Sequence, residues 1–306
     1  MNVTIFGIDL YLNPVAFTIP IGSGWSVYWY GIIIALGFML ALLYGYKNAA
    51  RLGIDTDRML DVALITTPLA ILCARSYYLI FDDVKGNFFS DFFNFSGRGF
   101  SGLAIYGGVI GAAVFGGLMC KIRKVSIPDM LDLASLGFLI GQGIGRWGNF
   151  VNQEAFGGPT GSSFWGMTSG NVVSDFIAKG YDPTALAHPC FLYESIWCIL
   201  GFFILHKLSK KRAFSGEIAL MYCVWYGFGR AFIELLRTDS LMIGEIKVSA
   251  LLSAVICVGA AFLIVYIRNK VKPQTEEYVS VFGEQMEVIE ENETEIEEET
   301  ENEQDN

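Results

Sequence analysis

Residues 25–46 read WSVYWYGIIIALGFMLALLYGY, twenty-two positions without a single charge. At about 1.5 Å per residue such a helix is roughly 33 Å long, enough to cross a hydrocarbon layer of about 30 Å. Working outward, six further runs of similar character lie at 59–81, 100–120, 129–148, 189–208, 217–237 and 246–267. The whole chain of 306 residues is 53% hydrophobic and 17% charged, too apolar for an ordinary soluble domain of that length. The expected fold class is all-α: a polytopic integral membrane protein of about seven transmembrane helices, with a small external head and arm.

Lysine and arginine in the short loops orient the spans. Thirteen bases fall on one side: Lys47, Arg51 and Arg58, then Lys121, Arg123 and Lys124, then Lys207, Lys210, Lys211 and Arg212, then Arg268, Lys270 and Lys272. The other side holds Lys85, Arg98, Lys179 and Lys247. The N-terminus is therefore expected outside and the C-terminus in the cytoplasm. Residues 1–24 form an external N-terminal segment, and 25–272 the membrane domain. Within it, 82–99 mix Phe with Asp and Lys as an interfacial arm would. Residues 149–188, rich in Gly, Ser, Asn and Thr, suit an external head. Residues 273–306 are expected to be a disordered acidic cytoplasmic tail.

That tail explains the net charge of -10, because 274–306 carry 14 of the 31 acids and none of the 21 bases. No basic stripe with interleaved aromatics stands outside the apolar runs, so nucleic acid is not an expected partner. Six cysteines are scattered through apolar stretches without C-x-x-C spacing, which reads as small buried hydrophobes and not as a metal site. The first basic residue is Lys47, so the basic leader of a cleavable signal peptide is not expected and the first span should stay.

Four arginines remain inside spans or at their ends: Arg75, Arg146, Arg230 and Arg237. An arginine at bilayer depth costs at least roughly 2.5 kcal/mol, so it snorkels, pairs or works. Counting along the outward-running spans puts Arg75, Arg146 and Arg230 roughly 20 to 26 Å from their cytoplasmic starts. Tyr28, Tyr30, Tyr106, His188, Tyr193 and Glu194 fall at the same outer depth. In the cytoplasmic half, Glu217 is the sole comparable residue expected. Tyr226, Arg230, Glu234 and Arg237 share one helical stripe, on which two arginines against one glutamate leave a positive excess. A phosphate suits such guanidinium forks; the structural alternative is a self-neutralised stripe that stitches helices. Glycines 102, 107, 108, 111, 116 and 117, with 137, 141 and 145, are spaced for close helix packing.

The most specific stretch is Gly145-Arg146-Trp147-Gly148-Asn149-Phe150-Val151-Asn152-Gln153-Glu154-Ala155-Phe156-Gly157. It resembles the signature of the prolipoprotein diacylglyceryl transferase family, G-R-x-G/A-N-F-x-N-x-E-x-x-G, and matches every fixed position. Trp29-Tyr30-Gly31, Gly107-Gly108, His188-Pro189, Leu192-Tyr193-Glu194 and Tyr226-Gly227 follow in the family's order, so the resemblance spans roughly 15–270. It implies transfer of diacylglyceryl from phosphatidylglycerol to the lipobox cysteine of a prolipoprotein signal peptide, with loss of glycerol phosphate and without metal or other cofactor. Membrane lipids are the surroundings in which both substrates arrive.

The resemblance places Arg146 and Arg230 on the headgroup and leaving group, with Tyr106 as a third catalytic candidate. Asn149, Asn152, Glu154, Gly157, Tyr30, Tyr226, Glu234, Arg237 and His188 are then expected to bind the lipid. For Tyr30 and Tyr226, anchoring at the interface is an equal alternative, and His188 could simply start a helix. Some members carry His where Tyr106 stands here. A phenol with pKa near 10 is a poor base at neutral pH, so Tyr106 is expected to orient thiol or phosphate while arginines lower the thiol pKa. A carrier or flippase for an anionic lipid or solute is the alternative; it would require polar groups near the midplane and access from both sides.

Overall fold

A computed structural model describes residues 2–20, 25–81, 92, 104–238, 242–243 and 246–270. Apart from Phe92, the arm expected at 82–99 lies outside the described residues, as does the acidic tail.

The described chain is mostly helical, and every expected span coincides with a helix. These are α1 (Trp29–Asn48), α2 (Thr56–Phe81), α3 (Ile105–Arg123), α4 (Ile127–Val151), α6 (Cys190–Ser209), α7 (Glu217–Leu236) and α8 (Val248–Lys270), with the short α5 (Gly170–Lys179) between α4 and α6. Six of them, α1, α2, α3, α6, α7 and α8, are long and apolar enough to cross a membrane. The remaining long helix, α4, carries Asp129, Asp132 and Arg146, which lower its apolarity. It packs against α1, α6 and α7 at once, so neighbouring helices cover its polar positions.

Small residues set the helix contacts. A Cβ on Gly37 of α1 would lie 3.4 Å from the Gly141 carbonyl of α4, and one on Gly137 would lie 3.5 Å from Ala41. On the other flank α3 lies against α2: a Cβ on Gly111 would come within 2.6 Å of Cys73, and one on Gly107 would collide with Tyr77 and the Cys73 carbonyl. The glycine pattern thus serves close packing, where dispersion and not the hydrophobic effect holds helices together.

Strands occupy one end of the bundle. β1 (Asn2–Ile5) and β2 (Ile8–Tyr11) form a hairpin, and β1 also pairs antiparallel with β5 (Met167–Ser169), giving the order β2-β1-β5. Ser169 then caps α5, its hydroxyl accepting from Val172 N at 3.3 Å. Val3, Phe150, Ala155, Met167, Val172, Phe176, Ala187 and Phe191 close one buried core, so the N-terminal segment and the 149–188 region form a single head. A second hairpin, β3 (Val15–Ile19) with β4 (Trp25–Tyr28), leads into α1. The first helix therefore starts at Trp29, four residues after the apolar run begins. Two-residue strands β6 (Met242–Ile243) and β7 (Ile246–Lys247) precede α8.

Candidate active site

Just under the head, three of the four intramembrane arginines converge on a carboxylate from α6. Glu194 is 2% exposed. Its Oε2 is paired with Arg146 Nη2 from α4; its Oε1 accepts from Arg230 Nη1 of α7 at 2.6 Å and lies 3.7 Å from Arg237 Nη1 at the end of α7. Arg230 also reaches Glu234, one turn along α7, at 2.6 Å from Nη2 to Oε2. Among the described residues, the direct ion pairs set three guanidiniums against two carboxylates, Glu194 and Glu234. Buried ion pairs of this kind barely offset their desolvation, so their use lies in geometry and field. A phosphate oxyanion, which guanidinium forks bind through paired N–H donors, matches both.

The backbone after α4 brings a second set of groups to the cluster. Asn149 Oδ1 accepts from Arg146 Nη1 at 3.5 Å, while its Nδ2 donates to Glu154 Oε2 at 3.4 Å. Glu154 sits between two residues in the left-handed region, Gln153 (φ 57°) and Ala155 (φ 56°), and its N–H returns to Asn149 O at 2.8 Å. For residues bearing a Cβ this conformation costs about 1–2 kcal/mol each, so the loop stores strain to aim Glu154. Asn152 ends α4, and its carbonyl accepts from the Asn171 side chain at 3.3 Å.

The motif glycines are contact positions. The Tyr30 ring of α1 covers Gly148, where a Cβ would lie 2.7 Å from its Cδ2. Gly157 donates to His188 O at 2.8 Å and backs onto the end of α7, so that a Cβ would lie 2.6 Å from Leu236 O. Lys247 secures the same helix end, its Nζ donating to the carbonyls of Glu234, Leu235 and Arg237 at 2.9, 3.0 and 2.6 Å. Residues 14–266 match the sequence profile of prolipoprotein diacylglyceryl transferase.

The chain belongs to the prolipoprotein diacylglyceryl transferase family.

It is 40% identical over 282 residues to the phosphatidylglycerol--prolipoprotein diacylglyceryl transferase of Pediococcus pentosaceus, covering 91% of this chain and 97% of that one. A protein of the same name from Listeria innocua is 41% identical over 265 residues, 86% of this chain and 92% of the relative. That from Bacillus licheniformis is 40% identical over 268 residues, 85% and 94% respectively.

Within this diacylglyceryl transferase fold the remaining candidates are placed unevenly. Tyr226 stacks on Tyr222 at 5.6 Å one turn before Arg230, within reach of the charges of Arg146, Glu194 and Arg230. His188 stands outside the spans, with Nδ1 3.3 Å from the Tyr193 hydroxyl, which also accepts from Trp165 Nε1 at 2.7 Å. Burial pulls the His188 imidazole below its usual pKa, so it is neutral at pH 7. Tyr106 lies on α3, 62% exposed, its ring 6.5 Å from that of Tyr77, and it joins none of the ion pairs described above. Arg75 is buried on α2 with its guanidinium 6.0 Å from the Tyr78 ring.

Two findings correct the sequence reading. Glu194 stands among the expected outer polar groups but not among the expected site residues. It is the sole charge in the apolar stretch 189–205, and that isolation was the available signal. Glu217 is also not alone at the other end of the bundle. Asp132 and Glu217 are both fully buried there. Arg212 pairs with Asp129 at 2.7 Å and Asp132 at 2.8 Å, and Arg268 pairs with Glu217 at 2.5 Å. Asp132 also accepts from Gly216 N at 2.9 Å and Ala219 N at 2.8 Å, at the positive start of α7. Depth asymmetry alone therefore does not single out the outer cluster. Packing does: the Asp132 end ties a loop to a helix start, whereas the Glu194 end gathers three arginines on one carboxylate beside the motif loop.

Proposed function

We propose that this chain transfers the diacylglyceryl group of phosphatidylglycerol to the lipobox cysteine thiol of a prolipoprotein. The observation that carries the reading is the buried convergence of Arg146, Arg230 and Arg237 on Glu194, beside the loop that presents Glu154. The chain is a multi-pass membrane transferase. Its site lies at the end of the bundle that bears the head, and we place that end outside the cell membrane, with the N-terminus external and the acidic tail cytoplasmic.

The chemistry is a displacement at carbon. The thiolate sulfur attacks the glycerol carbon that carries the phosphate ester; a C–S bond forms, the C–O bond breaks, and its electron pair leaves on the phosphate oxygen. Glycerol phosphate departs, and the thiol proton ends on this phosphate monoester or in solvent. Arg146 and Arg230 stabilise charge as it builds on the leaving oxygen, and the same field favours the thiolate. Holding the carbon in line with the sulfur is positional work, for which Asn149, Glu154 and Tyr226 are set. Tyr106 stands off the cluster and serves, in this reading, to guide the incoming thiol or acyl chains.

The test uses phosphatidylglycerol labelled separately in its acyl chains and in its headgroup glycerol, incubated with the purified protein and a lipobox peptide. Acyl label on the peptide as a thioether, with headgroup label released as glycerol phosphate, supports the proposal. Label crossing a vesicle membrane without bond formation would support the carrier reading instead.

A further inference from the structure

The helix α7 starts at Glu217, beside Asp132, and ends at Leu236, so its carbonyl end, the negative end of its dipole, faces the Glu194 cluster. The last four carbonyls of a helix have no partner within it. Where α4 ends at the same site, the chain folds back and supplies them: Asn152 N donates to Gly148 O at 3.1 Å, Glu154 N to Asn149 O at 2.8 Å and Gln153 N to Phe150 O at 3.0 Å. Among the described residues, the backbone after α7 returns one such bond, Arg237 N to Glu234 O at 3.2 Å. Arg237 is extended (φ -74°, ψ 145°) and leads the chain away.

Lys247 makes up the difference. Its three N–H donors go to the carbonyls of Glu234, Leu235 and Arg237, while Gly158 N donates to Leu236 O at 2.9 Å. The same lysine immediately precedes α8, whose N-terminus prefers an acid to a cation. Its position is therefore unfavourable for α8 and favourable for α7. The carbonyls it binds belong to the segment that carries Glu234 and Arg237 into the ion-pair cluster.

We infer that Lys247 is a positioning residue for the anionic headgroup: it holds the turn bearing Glu234 and Arg237, and it cancels the negative potential that the end of α7 would turn on a bound phosphate. This rests on the transferase reading above. An ammonium does both because it brings charge and three donors to one point. Uncancelled, a helix carbonyl end amounts to about half a negative charge, which would oppose the charge that builds on the leaving oxygen. The Gly158 bond and that from the Thr238 hydroxyl to Asp175 Oδ2, at 3.2 Å, tie the same segment, so a variant without the lysine should still fold.

The experiment titrates inorganic phosphate into the purified full-length protein by calorimetry at low ionic strength, for wild type, Lys247→Met and Lys247→Arg. Loss of a charge at a partly buried helix end should weaken phosphate about 3- to 10-fold in Lys247→Met. The kcat/KM for phosphatidylglycerol should fall by at least that factor. Arginine keeps the charge and the donors, so Lys247→Arg should stay within about twofold of wild type. A lysine that only stabilised the fold would lower the unfolding midpoint of Lys247→Met and leave the phosphate affinity of the folded protein unchanged. Equal affinity in wild type and Lys247→Met, no phosphate binding at all, or a Lys247→Arg as weak as Lys247→Met overturns the inference. Absence of thioether from the folded wild type would instead sink the transferase reading, whereas the phosphate titration needs no turnover and still tests Lys247.

Discussion

Trp197 on α6 and Trp225 on α7 exchange hydrogen bonds, each indole N–H donating to the other's carbonyl oxygen at 2.9 Å, with their rings stacked 4.2 Å apart. Each ring sits over a glycine of the facing helix, Trp197 over Gly229 and Trp225 over Gly201, where no Cβ would fit. The lock lies one turn from Glu194 and next to Arg230, so it sets the register in which those two groups meet. Gly229→Ala should displace the Trp197 ring and destabilise the protein by about 1–3 kcal/mol, the usual range for overpacking. Trp197→Phe, which keeps the stacking and loses one hydrogen bond, should cost about 1 kcal/mol. Thermal unfolding in detergent micelles checks both, and an unchanged midpoint for Gly229→Ala would show that the lock is loose.

Glu194→Gln removes the shared partner of Arg146 and Arg230. Breaking a buried pair from one side leaves an uncompensated charge and costs about 3–5 kcal/mol. We expect a marked fall in the unfolding midpoint, partly restored by saturating inorganic phosphate, which would supply the lost anion. No effect of phosphate on the variant would argue against an anion site at the cluster.

Asp132→Asn should behave differently. It weakens the tie between Arg212 and the start of α7 at the far end of the bundle, so stability should drop by a few kcal/mol while kcat of the folded fraction stays near wild type. Measuring kcat per folded molecule separates the two ends. A kcat loss as deep as that of an outer-cluster variant would mean the ends are coupled.

Gly157→Ala places a methyl against Leu236 O and His188 and should pry the motif loop from the end of α7. Transfer should fall at least tenfold, with increased hydrogen exchange at residues 234–237. Full activity would show that this contact does not position the loop.

How far the sequence carries depends on whether a feature is local. The seven long helices are legible because each apolar run of twenty or so residues states its own length, and their ends fall within about five residues of the expected limits. The strands are not. β1 is four residues long, and one of its partners, Met167–Ser169, is more than 150 positions away, so nothing in residues 2–5 announces it. β4 falls inside the first apolar run because Trp and Tyr suit a strand as well as a span. Arg146, Arg230 and Arg237 stood out as charges in apolar sequence, but what gathers them is Glu194, which only the packing of α6 against α4 and α7 reveals. The Asp132 cluster was overlooked for the same reason: its partner Arg212 reads as an ordinary loop base until the loop folds back.

The central claim is that Arg146 and its cluster stabilise the phosphate that leaves. The most direct measurement is the rate of thioether formation from phosphatidylglycerol and a lipobox peptide by the purified protein, wild type against Arg146→Ala, both confirmed folded. Loss of a preorganised donor to a leaving oxyanion predicts a rate lower by roughly 10²–10³. Turnover by Arg146→Ala at the wild-type rate, or no thioether from the folded wild type, would contradict it.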